Sequence, residues 1–337
     1  MHLNVHLYRD LDAVADDAGE ALGRAAQPHM FDRLDWFRLV TRHLPDVQPV
    51  VICAVDGAAK AWLFLADRGH GRADALGCWY TLAFAPVFAG MGVHDILLAA
   101  CAKEAGRHFH TLTLAPLTGG DRDRFERAFA ATGWRVIATP ATVNRQVAVT
   151  GNFESWWATR PGKLRNTARR KAKASPFRIE IANGFDPALW SAYETVYADS
   201  WKGAEGSPAF QRALVQQEGA AGTLRLGVAT LHDRPVAAQY WLVEHGRATI
   251  HKLAYAESAR ALSPGTVLTA AMFRHVIDQD RPTLIDFGTG DDPYKADWMD
   301  MRNILWRLDL YRLSSPTGLY GYVRARAAAL VRARRGG

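Results

Sequence analysis

The stretch IDFGTGDDPYKADW, residues 285–298, crowds Asp286, Asp291, Asp292, Tyr294 and Lys295 around two glycines. Its start reads as a buried strand, and the loop beyond a strand's carboxyl end is where α/β folds hold ligands. A carboxylate can take a proton from an amine or orient it. A lysine ammonium can stabilise an oxyanion while an acyl group is attacked. Together these are the two tasks of acyl transfer to an amine. Asp286 or Asp291 is the candidate for the proton and Lys295 for the oxyanion, with Tyr294 beside them. A salt-bridged turn, with Lys295 paired to Asp291 or Asp292, is the structural alternative.

Two further stretches suit an anionic partner. In Ser263-Pro264-Gly265-Thr266 a proline and a glycine open a helix that Ser263 or Thr266 can cap. Exposed N–H groups at that end favour a phosphate, although an ordinary cap has the same sequence. In GKLRNTARRKAKASPFRIEI, residues 162–181, Arg165, Arg169 and Lys173 make one helical stripe, and Leu164, Ala168 and Ala172 make the neighbouring one. No acidic residue lies between Glu154 and Glu180 to balance that charge. The helix therefore points to a bound polyanion.

Trp201 reads as a core residue, and Lys202 as facing a pocket between two halves of the chain. His251 and Lys252 are adjacent on a strand and face opposite sides. His251 is either a general base or a hydrogen-bonded core histidine. Trp201, Lys202, Lys252 and Tyr255 are the substrate-binding candidates. His108 and His110 lack convincing ligand spacing, and no metal is expected.

The elements that must position these residues come in two similar sets. PVVICAVDGAAKAWLFLAD (49–67) and LRLGVATLHDRPVAAQYWLVE (224–244) are hairpins, turning at Asp56-Gly57 and at Asp233-Arg234-Pro235. Each leads to a glycine, a helix and a short strand. The helices place Ile96, Ala99, Ala100 and Lys103, or Leu268, Ala271, Met272 and Val276, along one side. Ile96 aligns with Leu268 and Leu112 with Leu284 at a constant offset, which indicates a duplicated α/β unit. Hairpins followed by one βαβ crossover make each unit a mixed, mainly antiparallel sheet flanked by helices. The expected domains are 1–150 and 151–313, followed by a basic tail, 314–337. That tail is cationic and possesses an apolar stripe interrupted by Arg326, and it receives no role.

At 337 residues, nearly half of them apolar, the chain can bury two cores. Its net charge of +7 and pI near 9.4 suit a phosphate-bearing cofactor, an acidic carrier protein, RNA or anionic lipid. Cys53, Cys78 and Cys101 sit in apolar segments without disulfide or zinc spacing. With no signal-peptide pattern or membrane-length apolar run, a cytoplasmic setting is expected.

These stretches resemble a known group. The doubled unit with a glycine-led helix looks like the GNAT acyltransferase fold in tandem. KLRNTARRKAK, HKLAYAESARALSPGTVL, IDFGTGDDPYKADW and SWKG are similar to segments of BioF2-like (CelD-like) acetyltransferases and the related Fem-type aminoacyltransferases. The likeness covers roughly residues 150–300 well and the first half by architecture. It implies transfer from acyl-CoA as cosubstrate, from an acyl carrier protein, or from aminoacyl-tRNA, to an amine of a sugar, amino acid or peptide. In Fem-type enzymes the closing-motif lysine is thought to polarise the reacting carbonyl, which here is Lys295. The chain lacks the Fem-type helical-hairpin arm, which weakens tRNA use. ALSPGT departs from the usual GNAT Gln/Arg-x-x-Gly-x-Gly/Ala loop.

Overall fold

The computed structural model describes residues 3–44 and 46–335. The chain divides into two compact units, Met1–Thr142 with Ile304–Gly337, and Val143–Asn303.

The first unit holds β1 (Asn4–Tyr8), α1 (Leu11–Ala18), α2 (Leu34–His43), β2 (Gln48–Asp56), β3 (Ala59–Asp67), β4 (Arg72–Ala75) and β5 (Val87–Ala89). There follow α3 (His94–His108), β6 (Thr111–Leu117), α4 (Gly119–Ala130) and the first part, up to Thr142, of the crossing strand β7 (Arg135–Ala148). The second unit continues with α5 (Phe153–Ala158), α6 (Gly162–Ala174), β8 (Arg178–Ala182), α7 (Pro187–Ala198) and α8 (Pro208–Ala220). Then come β9 (Leu224–Leu231), β10 (Arg234–Glu244), β11 (Arg247–Tyr255), α9 (Pro264–His275), β12 (Leu284–Thr289) and α10 (Pro293–Ala296). The chain returns to the first unit through β13 (Met301–Tyr311) and α11 (Pro316–Arg335).

The two units share one strand plan. In the first, β1, β2, β3 and β4 form an antiparallel run, β4 pairs in parallel with β6, and β6 pairs antiparallel with β13. In the second, β8, β9, β10 and β11 form the antiparallel run, β11 pairs in parallel with β12, and β12 pairs antiparallel with β7. Each sheet is thus mixed and mainly antiparallel with helices packed on it, as the hairpin and crossover pattern requires.

The last strand of each set is exchanged. β7 follows β6 in sequence, yet its residues 144–148 complete the sheet of the second unit. β13 follows β12, yet Trp306–Tyr311 complete that of the first. The divisions therefore fall at 142/143 and 303/304, ahead of the expected 150/151 and 313/314. Local sequence marks a strand but not its partner, so the exchange is invisible until the pairing is known.

Local details depart from expectation in three places. The second hairpin turns at His232-Asp233, both left-handed, and Arg234 already belongs to β10. A two-residue turn of that hand matches the strand twist, and Asp is one of the side chains that tolerates it. In α3 the buried row is Leu97, Leu98, Cys101, Ala102 and Ala105, while Ile96 is 49% exposed. In α9 the expected Leu268 and Met272 are buried, as is Val276 just past its end, and Ala271 is half-buried.

The second core gathers round Phe273. Its ring stacks on Trp156 at 4.5 Å and Trp298 at 5.0 Å, and meets Trp241 edge-on at 4.9 Å. These contacts join α5, α9, β10 and the segment after α10. Gly227 on β9 makes α9's close approach possible, since a Cβ there would collide with Met272 Sδ. Each such large side chain contributes about 1.5–3 kcal/mol by its burial. The site described next is built on this rigid support.

Candidate active site

Strands β11 and β12 pair only from Arg247/Leu284 to Thr249/Asp286, although β11 runs on to Tyr255 and β12 to Thr289. Past that point β11 carries Leu253 and Tyr255 into the wall of a cleft of about 460 Å3. The amino-terminal half of α9 (Ser263, Pro264, Gly265, Thr266, Thr269), α6 (Lys163, Leu164, Thr167), Trp201, Arg260 and α10 with its flanks (Asp292, Pro293, Tyr294, Asp297, Trp298) form the rest.

Among the sequence candidates, Ser263, Gly265, Thr266, Tyr255, Trp201 and Tyr294 line the cleft. Ser263 adopts a left-handed φ of 54° and makes no side-chain cap hydrogen bond. The expected cap is therefore replaced by backbone bonds, with Thr266 N and Val267 N both donating to Ser263 O at 3.1 and 3.3 Å. Pro264 has no N–H, so Gly265 supplies the remaining amide of the turn. Gly265 also needs its small size: a Cβ there would lie 3.3 Å from Tyr255 Cδ1. Below it, buried Gln239 donates to Thr269 Oγ1 and accepts from Trp241 Nε1 at 3.0 Å, which ties the start of α9 to β10.

Trp201 is 57% exposed, not core. It sits in the turn after α7, where no sheet covers it, and its ring meets the Lys202 ammonium at 5.8 Å. Lys202 Nζ donates to Leu253 O at 2.6 Å. Burial, then Lys252 and Lys295, lower its pKa to about 8. Lys252 pairs with Glu205 at 3.1 Å and lies over the Tyr197 ring.

Lys295 is 5% exposed and lies behind the wall rather than on it. Its Nζ donates to Thr289 O at 2.6 Å and Phe287 O at 3.3 Å, with Asp292 Oδ2 3.8 Å away. Burial lowers its pKa, while Asp292, Asp286 and Asp291 oppose the shift. Tyr294, its neighbour in the short helix, meets the Phe287 ring edge-on at 5.6 Å. Burial, Asp292 and Tyr255 push its phenol up.

The two carboxylates expected to handle the proton have other partners. Asp286 is buried and accepts from Asn144 Nδ2 at 2.6 Å, Gln146 Nε2 at 2.9 Å, Gly288 N at 2.8 Å and Arg247 at 3.0 Å. Asp291 lies between Arg145 and Arg302, each donating at 2.7 Å, and these bonds lower its pKa. Neither lines the cleft; Asp292 and Asp297 do. His251 is a buried bulge residue. Tyr240 stands opposite Lys252 and Trp241 opposite Ile250, so His251 is skipped. Its Nδ1 lies 2.8 Å from Tyr240 Oη, which is the core-histidine alternative.

Helix α6 buries Leu164 and Ala168 of the expected apolar stripe, while Ala172, near the end of the helix, is exposed. Arg165 and Arg169 do not reach the cleft. Arg165 Nε donates to Arg160 O at 3.1 Å and Arg169 to Asn166 Oδ1 at 3.0 Å. Arg160 is a residue that the sequence reading missed. Buried, it grips Asp300 through two bonds of 2.8 and 2.9 Å, donates to Trp298 O at 3.0 Å and lies over the Trp156 ring. It fixes the start of α6 to the segment after α10. Thr167, Arg260 and Asp297 were missed as well, and Lys163 was read only as part of the basic side of α6. For Asp297 a signal existed, because Tyr294, Asp297 and Trp298 share one helical face at i, i+3 and i+4.

Among the described residues no group of His, Cys, Asp or Glu is arranged to hold a metal ion. None of the cleft-lining residues is a cysteine; Cys53, Cys78 and Cys101 all belong to the first unit.

Residues 159–296 match the family described as an acetyltransferase (GNAT) domain. In sequence, no curated protein matches the chain. Solved structures share its fold. The C-terminal domain of a putative lysylphosphatidylglycerol synthetase from Agrobacterium fabrum is 14% identical, with 81% of this chain and 86% of that one covered and a TM-score of 0.55. FemX is 9% identical, with 81% and 90% covered and a TM-score of 0.56. A tandem GNAT protein from the clavulanic acid biosynthesis pathway is 14% identical, with 91% and 98% covered and a TM-score of 0.51. The matched segment contains the whole cleft except the last residues of its wall, Asp297 and Trp298, so the likeness to a GNAT acetyltransferase domain falls on the second unit.

Proposed function

We propose that the second unit moves an acyl group from acyl-CoA, or from the same thioester arm on an acyl carrier protein, to an amine of a sugar, amino acid or peptide, as in BioF2-like acetyltransferases. The observation that carries this reading is the convergence of the α9 amino end, Lys163 and Arg260 on one cleft beside the parting of β11 and β12. A phosphate fits the Gly265 amide, the hydroxyls of Ser263 and Thr266, and the two cations. An extended thioester arm fits a wall whose strand has lost its neighbour.

The amine attacks the thioester carbonyl carbon directly. A C–N bond forms, the carbonyl oxygen takes the negative charge, and collapse breaks the C–S bond to release the thiol. Asp292, 3.8 Å from the Lys295 ammonium, is the cleft carboxylate placed to take the proton lost by nitrogen. Lys295 contributes positive potential from behind the wall while holding the 287–292 backbone in place. Trp201 and Tyr255 flank the acyl chain or acceptor. Purified protein incubated with acyl-CoAs and an amine panel should give N-acylated product by mass spectrometry. No product with any thioester donor would overturn the reading.

A second reading rests on α6. Arg165, Arg169, Arg170 and Lys173 are cationic and exposed beyond the Lys163 end of the cleft, with no acid on that helix. This face suits the backbone of an aminoacyl-tRNA donor. Loss of transfer on ribonuclease treatment, with none supported by acyl-CoA, would favour it.

A further inference from the structure

Helix α11 presents one packed face and one bare face. Gly318 fits against the Arg312 carbonyl and Gly321 against the Tyr311 ring, where a Cβ would clash or crowd. Tyr322 meets Tyr311 edge-on at 5.9 Å, and Ser315 Oγ accepts from Gly318 N at 2.9 Å to start the helix. The opposite face carries Leu319, Tyr320 and Val323, respectively 47%, 70% and 57% exposed. At about 100° per residue, Leu319, Val323, Ala327 and Tyr320 fall within an arc of about 100°. Arg326 borders that arc on one side and Arg324 on the other, and both are exposed. The arginine that interrupts the stripe in sequence is therefore its edge in three dimensions. No acidic residue occurs after Asp309, and Arg332, Arg334 and Arg335 follow along the chain.

We infer that this face of α11 docks on an anionic phospholipid surface. An apolar arc with arginines at both rims matches such a surface in each part. Leu319 and Val323 enter the acyl boundary, Tyr320 sits at the headgroup level, and Arg324 and Arg326 reach lipid phosphates with their stems along the apolar layer. A second copy of the helix would set arginine against arginine. A nucleic acid would take the charge and leave Leu319 and Val323 in water. Among the described residues no helix is long and apolar enough to cross a membrane, so attachment would be peripheral. The inference is independent of the acyl-transfer reading, since none of these residues belongs to the cleft.

The test is sedimentation of the full chain with vesicles of phosphatidylcholine alone, or of phosphatidylcholine with about one-third phosphatidylglycerol. Binding to the anionic vesicles only, weakening with added salt, is expected. R324Q/R326Q should lower the partition coefficient about tenfold or more. L319S/V323S should lower it comparably, and both variants should keep the wild-type circular dichroism and melting temperature because the changed side chains are exposed. Equal binding to neutral vesicles, no binding to anionic ones, or binding unchanged in either variant would overturn the inference. So would dimerisation lost in L319S/V323S without any vesicle binding, which would make a second copy the occupant. Capture of RNA in place of vesicles would assign the face to nucleic acid and equally defeat the proposal.

Discussion

Lys202 and Lys295 each hold a main-chain carbonyl at 2.6 Å, Leu253 O on β11 and Thr289 O on β12, beyond the point where these two strands stop pairing. Two buried ammonium groups thus stand where the sheet has parted. Burial is the main cause of the lowered pKa of both, and for Lys202 the nearby Lys252 and Lys295 ammonium groups add to it.

Lys202 gives a pH signature. Its folded pKa is about 8, against about 10.4 for an unfolded lysine, so its ammonium is lost as pH rises through 8. Donor affinity should fall over that range if the charge faces the donor, and calorimetric titration at several pH values will measure it. Lys202→Met should flatten the dependence. Stability should move the other way. Between the two pKa values the unfolded chain holds the extra proton, so the folded state gains from pH 8 upward.

Lys295→Ala leaves two buried carbonyls, Phe287 O and Thr289 O, without this donor. The expected loss is about 1–3 kcal/mol in urea unfolding, with kcat falling at least tenfold. Lys295→Arg should recover part of the stability and little of the rate, because a planar guanidinium does not place its donors where the compact ammonium meets Phe287 O and Thr289 O. Full activity in Lys295→Ala would sink the assigned role.

The neighbouring aspartates should separate cleanly. Asp292→Asn is expected to lower kcat at least tenfold with little change in KM. Asp291→Asn loosens the Arg145 and Arg302 contacts, so it should change KM more than kcat. Steady-state kinetics distinguish them.

Gly265→Val narrows the space beside Tyr255. Donor KM should rise about tenfold while the melting temperature shifts by only a few degrees. Trp201→Ala, at an exposed site, should leave melting unchanged and weaken donor or acceptor binding several-fold, a change that intrinsic fluorescence and calorimetry both report.

Much of this arrangement was legible in the chain. Asp-Gly at 56–57 marked one hairpin, the Leu164/Ala168 spacing marked the buried side of α6, and the glycine-led helix and the strand after it marked the cleft's neighbourhood. The role of Asp286 was not legible. A lone carboxylate in an apolar strand looks reactive, and its partners Asn144, Gln146 and Arg247 come from strands distant in sequence. Trp201 was misplaced for a related reason: side-chain size argues for burial, but burial needs a covering layer, and the turn after α7 has none. The Ile96 face of α3 was misread because two rows of that helix are equally rich in alanine and only packing chooses between them.

The exchanged strands also set an order of events during synthesis. The second unit is continuous, 143–303, so everything it needs has left the ribosome once Asn303 is out. The first unit, although its residues emerge earliest, waits for Ile304–Tyr311 to fill the edge beside β6. The half that carries the cleft can therefore reach its final pairing before the half that precedes it, reversing the usual amino-to-carboxyl sequence of folding. Pulse-labelled nascent chains stalled after residue 303 should already resist protease across 143–303 and remain cleavable before 142.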